Sequence, residues 1–197
     1  MEFSDVVRRR RMVRNYLPDP VDEDSLDRIV DAGVRAPSAG FTQGQSFVVV
    51  TSAERRQRIA ELAGESHYVE QGFDPWISRA PAHIVVCVSE EAYHRRYQEP
   101  DKTDPEGNET EWPVPYWWVD AGASMMAILL AAVNEGLGAG FLGAQSFQGL
   151  AEFLELPPDV TPIGVVTVGH PAPDRRSSSL RRGRRTGVVH RERWHAG

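Results

Sequence analysis

Two arginine-rich stretches stand near opposite ends of the sequence: Arg8-Arg9-Arg10-Arg11 with Arg14, and Arg181, Arg182, Arg184 and Arg185. A guanidinium is a planar fork that grips a phosphate with two parallel hydrogen bonds, whereas lysine offers a point charge. Between them in sequence lies Ala36-Pro37-Ser38-Ala39-Gly40, a small-residue loop able to offer an anion a hydroxyl and backbone N–H groups. The two clusters and this loop could assemble one phosphate site. Taken alone, the first cluster reads equally as a solvated helix face or a nucleic-acid patch.

A third candidate is Gly138-Ala139-Gly140-Phe141-Leu142-Gly143, which matches G-x-G-x-x-G. A dinucleotide fingerprint needs a strand before it, a helix opening within it and an acid about 20 residues further on. Here Met125 to Glu135 reads as helix and no acid is suitably placed. Gly136-Leu137-Gly138 is more simply a helix stop leading into a strand or loop. Glycine also permits close backbone approach, so a planar ring lying against Leu142 to Ala144 stays open.

Other side chains advertise no chemistry. The six histidines lack metal-ligand spacing, His83 and His170 read as structural residues, and the single Cys87 reads as a small buried hydrophobe. No metal set, nucleophile motif or acid–base pair is visible, so a bound cofactor is the economical carrier of reactivity.

These residues must be positioned by a chain of 197 residues, 41% hydrophobic and 25% charged, which suits one soluble domain over 1–197 and excludes fibrous or disordered classes. The start shows no secretory leader, and the apolar run Ala121 to Val133 is short of the ~20 residues a membrane span needs. A cytoplasmic protein is expected. The net charge of -6 is unevenly spread: residues 1–14 and 175–197 hold thirteen arginines against three acids, while 15–174 hold nine basic groups against twenty-five acids.

The pattern predicts a helix from Ser4 to about Arg11 with Ser4 as N-cap, a break at Leu17 to Pro20, and a helix capped by Asp22 with Leu26, Ile29, Val30, Gly33 and Val34 on one face. Phe47 to Val50 and His83 to Val88 read as buried strands, Ala53 to Ala63 as helix, and 98–113, with six acids, as an exposed loop. Tyr116 to Glu135 reads as a long, mostly buried helix, Phe147 to Glu155 as another helix, and Ile163 to Val168 as a third strand. Strands separated by helices give an α+β domain in which helices cover a sheet.

In this order the segments resemble a known family. Arg10-Arg11-Met12-Val13-Arg14-Asn15-Tyr16 resembles the opening R-R-S-V-R-x-F of the FMN-dependent nitroreductase superfamily. Ala36-Pro37-Ser38-Ala39-Gly40-Phe41-Thr42-Gln43 before Phe47-Val48-Val49-Val50 is similar to its A-P-S-x-x-N-x-Q-P-W-x-F-V-V-V. Asp120-Ala121-Gly122, Gly136-Leu137-Gly138, Phe141 to Ala144, and Ile163 to Pro171 resemble its later motifs. The resemblance runs from about Phe3 to Trp194 and implies an α+β fold with a mixed sheet covered by helices, in an obligate-type homodimer with FMN at the subunit interface. It implies that Arg10, Arg11 and Arg14 hold the phosphate and the polar ring edge, with Met12 contributing backbone. Pro37, Ser38 and Ala39 would come from the partner, Gln43 would lie near the flavin, and Leu142, Gly143 and Ala144 would bring N–H groups to the ring. Arg182 and Arg184 would close on the phosphate.

Departures from the pattern are Phe41 for Asn, Gly44-Gln45 for Pro-Trp, which loosens the loop, and Met12 for Ser. The implied activity is electron transfer from NAD(P)H to a nitroaromatic, quinone or similar acceptor by ping-pong hydride exchange, without metal, membrane or nucleic acid. Two readings compete: flavin-dependent dehalogenation, dehydrogenation or flavin cleavage on the same fold, or a nucleic-acid module using the arginine clusters. Tyr116, Trp117 and Trp118 read either as a pocket wall over the flavin or as interface core.

Overall fold

The computed structural model describes residues 1–175 and 177–194. Among them are eight α-helices, namely α1 (Phe3–Arg9), α2 (Glu23–Val34), α3 (Ala53–Leu62), α4 (Glu65–Glu70), α5 (Trp76–Arg79), α6 (Glu90–Tyr97), α7 (Tyr116–Asn134) and α8 (Leu150–Phe153). Four strands, β1 (Gln45–Val50), β2 (Ala82–Val88), β3 (Gly138–Gly143) and β4 (Thr161–Gly169), form one sheet in the order β1-β2-β4-β3, and every pair is antiparallel, which corrects the expected mixed sheet.

β2 shows why the sheet is covered on both faces. Successive side chains in a strand point to opposite sides. Accordingly, Val85 and Cys87 pack with Ile59, Ile77, Leu150 and Val165, while Ile84 and Val86 pack with Leu26, Ile29, Ile128 and Leu129. The first layer comes from α3, α5 and α8, the second from α2 and α7.

Asp22 caps α2 as expected, its side chain accepting from Ser25 N at 2.8 Å, and Gly136 ends α7 at φ 78°, a conformation glycine adopts at no steric cost. The G-x-G-x-x-G stretch is strand β3 behind a helix, so the dinucleotide reading fails on the predicted ground.

Several expectations need correction. Glu2, not Ser4, is the N-cap of α1, and it makes no side-chain cap bond. β1 is an edge strand only partly covered, with Val49 exposed. The helix expected over Phe147 to Glu155 shrinks to α8 because Phe147 is extended and Gly149 is left-handed at φ 75°. α4, α5 and α6 were not foreseen; α4 and α5 are under two turns long, and the exposed face of α6 is charged.

α7 is long and apolar enough to cross a membrane by length and composition. It also departs from the expected burial. Trp117, Ile128 and Leu129 face the core, whereas Tyr116, Trp118, Val119 and Met126 lie on the surface.

Candidate functional site

The arginine segment docks as an irregular fifth strand along the free edge of β3. Met12 bridges Ala139 in parallel, and Val13 N donates to Ala139 O at 3.0 Å. Gly140 makes this possible: a Cβ there would stand 2.5 Å from the Val13 carbonyl oxygen. The glycines of the motif therefore admit the segment that carries Arg10, Arg11 and Arg14, and Met12 serves by its backbone.

The chain beyond β4 stitches the same segment from its other side. Leu17 N donates to His170 O at 2.9 Å, Ala172 N to Asn15 O at 3.1 Å, and Asn15 Nδ2 to Pro173 O at 2.9 Å. Tyr16 is buried with its hydroxyl 2.7 Å from Thr167 Oγ1, and burial pushes its pKa upward.

Three expected phosphate ligands separate here. Arg11 is held by both oxygens of Asp174, at 2.6 and 2.8 Å, and Asp174 also accepts from Arg14 N at 2.9 Å. Arg10 and Arg14 have no carboxylate partner among the described residues; the Arg14 guanidinium lies 5.9 Å from the Trp76 ring centroid. Asp174 was missed in the sequence, where it stands as a lone acid at the head of the basic arm. Arg182 ends a 3-10 turn, Arg184 follows Gly183, and both are exposed.

The Ser38 loop lies at the opposite edge of the sheet, leading into β1. Gly40, Phe41 and Gln43 all have left-handed φ values, 62°, 54° and 54°. For non-glycine residues that conformation costs of order 1–3 kcal/mol each. The surroundings hold it. Asp120, buried on α7, accepts from Ala39 N at 2.8 Å and from the Tyr93 hydroxyl at 2.9 Å. Ser38 Oγ accepts from Gln43 N at 2.9 Å, and Arg96 Nε donates to Gly40 O at 3.0 Å.

The amides of Ala39, Phe41, Thr42 and Gln43 are therefore committed inside the protein, and the Ser38 hydroxyl remains able to donate from this loop. The loosening expected from Gly44 is also corrected: a Cβ there would stand 2.6 Å from Tyr93, and Gly44 O accepts from Ser89 N. Phe41, in the place of a polar residue, is 76% exposed.

Leu142, Gly143 and Ala144 lie where β3 passes into a 3-10 turn. With Arg10 and Arg14 they occupy one edge of the sheet, while Pro37, Ser38, Ala39 and Gln43 occupy the other. One copy of the chain does not bring the two sets together.

Arg96 and Asp120 are the positioning groups that sequence reasoning undervalued. Arg96 grips Asp101 through two bonds of 2.7 Å while holding Gly40 O, so the acidic loop and the Ser38 loop share one clamp. Elsewhere the side chains remain chemically quiet. Burial pushes the Cys87 thiol up to about 12, and His83, lowered by burial to about 4, bonds Ile77 O at 2.8 Å. Among the described residues no cluster of three His, Cys, Asp or Glu could hold a metal.

Guanidiniums without a carboxylate partner among the described residues, set along a strand edge, fit the binding of an anionic group. The nitroreductase family model matches residues 7–170. The chain is 32% identical over 164 residues to the FMN reductase [NAD(P)H] of Bacillus subtilis, covering 82% of this chain but 63% of that protein. It is 26% identical to an NADPH-dependent oxidoreductase of Staphylococcus aureus, covering 97% and 73% of the two chains. The hypothetical oxidoreductase YcnD from Bacillus subtilis superposes with a TM-score of 0.75 at 28% identity, over all of this chain and 76% of that one. From its arginine segment to the end of its last strand, the chain belongs to the nitroreductase family.

Proposed function

We propose that the chain is one subunit of a homodimeric, FMN-dependent oxidoreductase of the cytoplasm. It takes electrons from NAD(P)H and passes them to a nitroaromatic, quinone or similar acceptor in alternate half-reactions. The observation that carries this reading is the division of the candidate site. Unpaired Arg10 and Arg14 stand at the β3 edge and the clamped Ser38 loop stands at the β1 edge, so a second copy is needed to join them. The exposed apolar side chains of α7, Trp118, Val119 and Met126, give that second copy a surface to cover.

In this arrangement Arg10 and Arg14, joined by Arg182 and Arg184 from the C-terminal arm, hold the phosphate. Ser38 supplies a hydroxyl from the other subunit, and Gln43 lies beside the ring. Leu142 to Ala144 offer backbone donors to its polar edge, where developing negative charge is stabilised. Arg11 fixes the root of the arm through Asp174. Bound FMN supplies alternate acceptance and donation of a hydride, and the protein supplies orientation.

The test is direct. The purified chain should bind one FMN per subunit at micromolar concentration, elute as a dimer by light scattering, and oxidise NADH or NADPH in the presence of quinone or nitroaromatic acceptors. Failure to bind FMN at that concentration, or a stable FMN-loaded monomer, would overturn the reading.

A further inference from the structure

Between α6 and the first turn of α7 the chain builds an aromatic cavity of about 260 Å³. Tyr97, Trp112 and Tyr116 wall it, Ala39 of the Ser38 loop reaches it, and Glu111 lines it from the acidic loop. The rings hold one another in place. Trp112 stands edge-on to Tyr97 with centroids 4.4 Å apart, and Tyr116 is 6.3 Å from Trp112. The Trp112 indole N–H donates to Glu109 at 2.6 Å, and Glu109 is held in turn by His94 at 2.6 Å. The wall is therefore preformed.

The charge around this cavity is one-sided. Residues 98–113 carry six acids and one base, Lys102. Most of the acids are compensated within the lobe: Glu99 and Asp101 by Arg96, Glu109 by His94 and Trp112, and Asp104 by Asn108. Glu111 is different. It is exposed, it lines the cavity, and it makes no hydrogen bond or ion pair with any described residue. Tyr97 already receives one cation, the Lys102 ammonium 5.8 Å from its ring centroid, and Lys102 lies outside the cavity lining. Aromatic faces attract cations through their quadrupole, and an unpaired carboxylate beside them adds charge of the matching sign; an anionic ligand is disfavoured by both.

We propose that this cavity binds an organic cation, an ammonium group carried on a small planar ring, with Tyr97, Trp112 and Tyr116 as its wall and Glu111 as its counter-ion. That such a cation is also the electron acceptor rests on the oxidoreductase reading above; that it binds does not.

The test titrates the 197-residue protein as purified with benzyltrimethylammonium chloride, followed by calorimetry and tryptophan fluorescence, beside benzyl alcohol and benzoate. The cation should bind about tenfold more tightly than the alcohol, and benzoate more weakly than either. Glu111→Gln, an exposed position, should weaken the cation about fivefold and leave the alcohol unchanged; Tyr116→Leu should weaken the cation about threefold. Equal affinity for cation and benzoate, or no effect of Glu111→Gln on the cation, would overturn the site. A separate kinetic arm compares 4-nitrobenzyltrimethylammonium with 4-nitrobenzoate, and a lower KM for the cation is expected. Cation binding without turnover of any acceptor would leave the site standing and sink the oxidoreductase reading. Turnover of both nitro compounds at equal KM would overturn the assignment of the acceptor's charge.

Discussion

Beside β3, Arg10 and Arg14 present guanidiniums that no carboxylate of the described chain answers, whereas beside β1 four amides of the Ser38 loop, those of Ala39, Phe41, Thr42 and Gln43, are already bonded within the protein. The two edges also differ in strain. The arginine segment lies along β3 in ordinary extended bonding, while the Ser38 loop carries three left-handed residues among four. The contrast separates two ways of preparing a site. One edge stores uncompensated charge for an anion to neutralise. The other stores a costly backbone shape, kept by Asp120, Tyr93 and Arg96, which lie far from it in sequence. Mutations should therefore act on affinity at the first edge and on stability at the second.

The largest effect is expected where shape is stored. Asp120→Ala strands two donors, the half-buried Ala39 N–H and the buried Tyr93 hydroxyl, at a position that is 7% exposed. Each stranded donor costs about 1–3 kcal/mol, so the two together should lower melting by roughly 5–20 °C for a chain of this size. Asp120→Asn keeps an oxygen for the Ala39 amide and should lose less than half as much. Tyr93→Phe should fall between them, because Asp120 then keeps one of its two donors. An Asp120→Ala protein melting with the wild type would remove the clamp from the account of this edge.

At the charged edge the effect should appear in flavin affinity. A charge-assisted bond is worth roughly 1.5–3 kcal/mol, so Arg14→Ala should weaken FMN about ten- to a hundredfold while riboflavin, lacking the phosphate, barely changes. The Arg182→Ala/Arg184→Ala pair should behave alike if the arm closes on the same phosphate. Arg11→Ala sharpens the comparison. Its partner Asp174 has a side chain only 6% exposed, so that mutant should lose melting temperature and retain most of its FMN affinity. Equal losses for FMN and riboflavin in Arg14→Ala would mean that this arginine holds the ring or the fold.

The sequence made the charged edge more legible than the clamped one, for a physical reason. The Asp22 cap, the Gly136 stop and the apolar run of His83 to Val88 are local signals, and each reappears where the pattern placed it. The clamp is not local: Asp120 meets Ala39 across 81 residues and Arg96 meets Gly40 across 56. Nothing in the composition of 36–44 announces that Phe41 and Gln43 are left-handed, because the cost is met by tertiary partners. α7 lies between the two. Its lack of charge points to burial in the core or at an interface, and Trp118, Val119 and Met126 lie on the surface of one chain, where an apolar face can await a second copy.

The smallest expected effect is a pH dependence confined to the acidic lobe, and it tests whether the clamped edge extends that far. His94 Nδ1 lies 2.6 Å from Glu109 Oε1, and its Nε2 is 3.5 Å from Glu90. The hydrogen bond to Glu109 raises the His94 pKa above its ordinary 6.5, partial burial works against it, and the charges of Glu109 and Glu90 add to the rise. For Glu109 burial acts upward, but bonds from Trp112, His94 and Gln98 outweigh it and hold the carboxyl below its ordinary 4.5. A group whose folded pKa is raised contributes fully below its unfolded value and loses that contribution as pH climbs through the folded one. A lowered carboxyl contributes above its unfolded value and loses it as pH falls. The pair should therefore support the lobe best between about 4.5 and 6.5 and weaken above that window. His94→Gln should narrow the gap between melting temperatures at pH 6 and pH 8, by no more than a few degrees, because the pair is partly exposed and screened. Trp112, bonded to the same Glu109, offers the spectroscopic check: its fluorescence should titrate with His94 in the wild type and stay flat in the mutant. A wild-type lobe that grows more stable from pH 6 to pH 8 would reverse the sign and break the link between His94 and the loop.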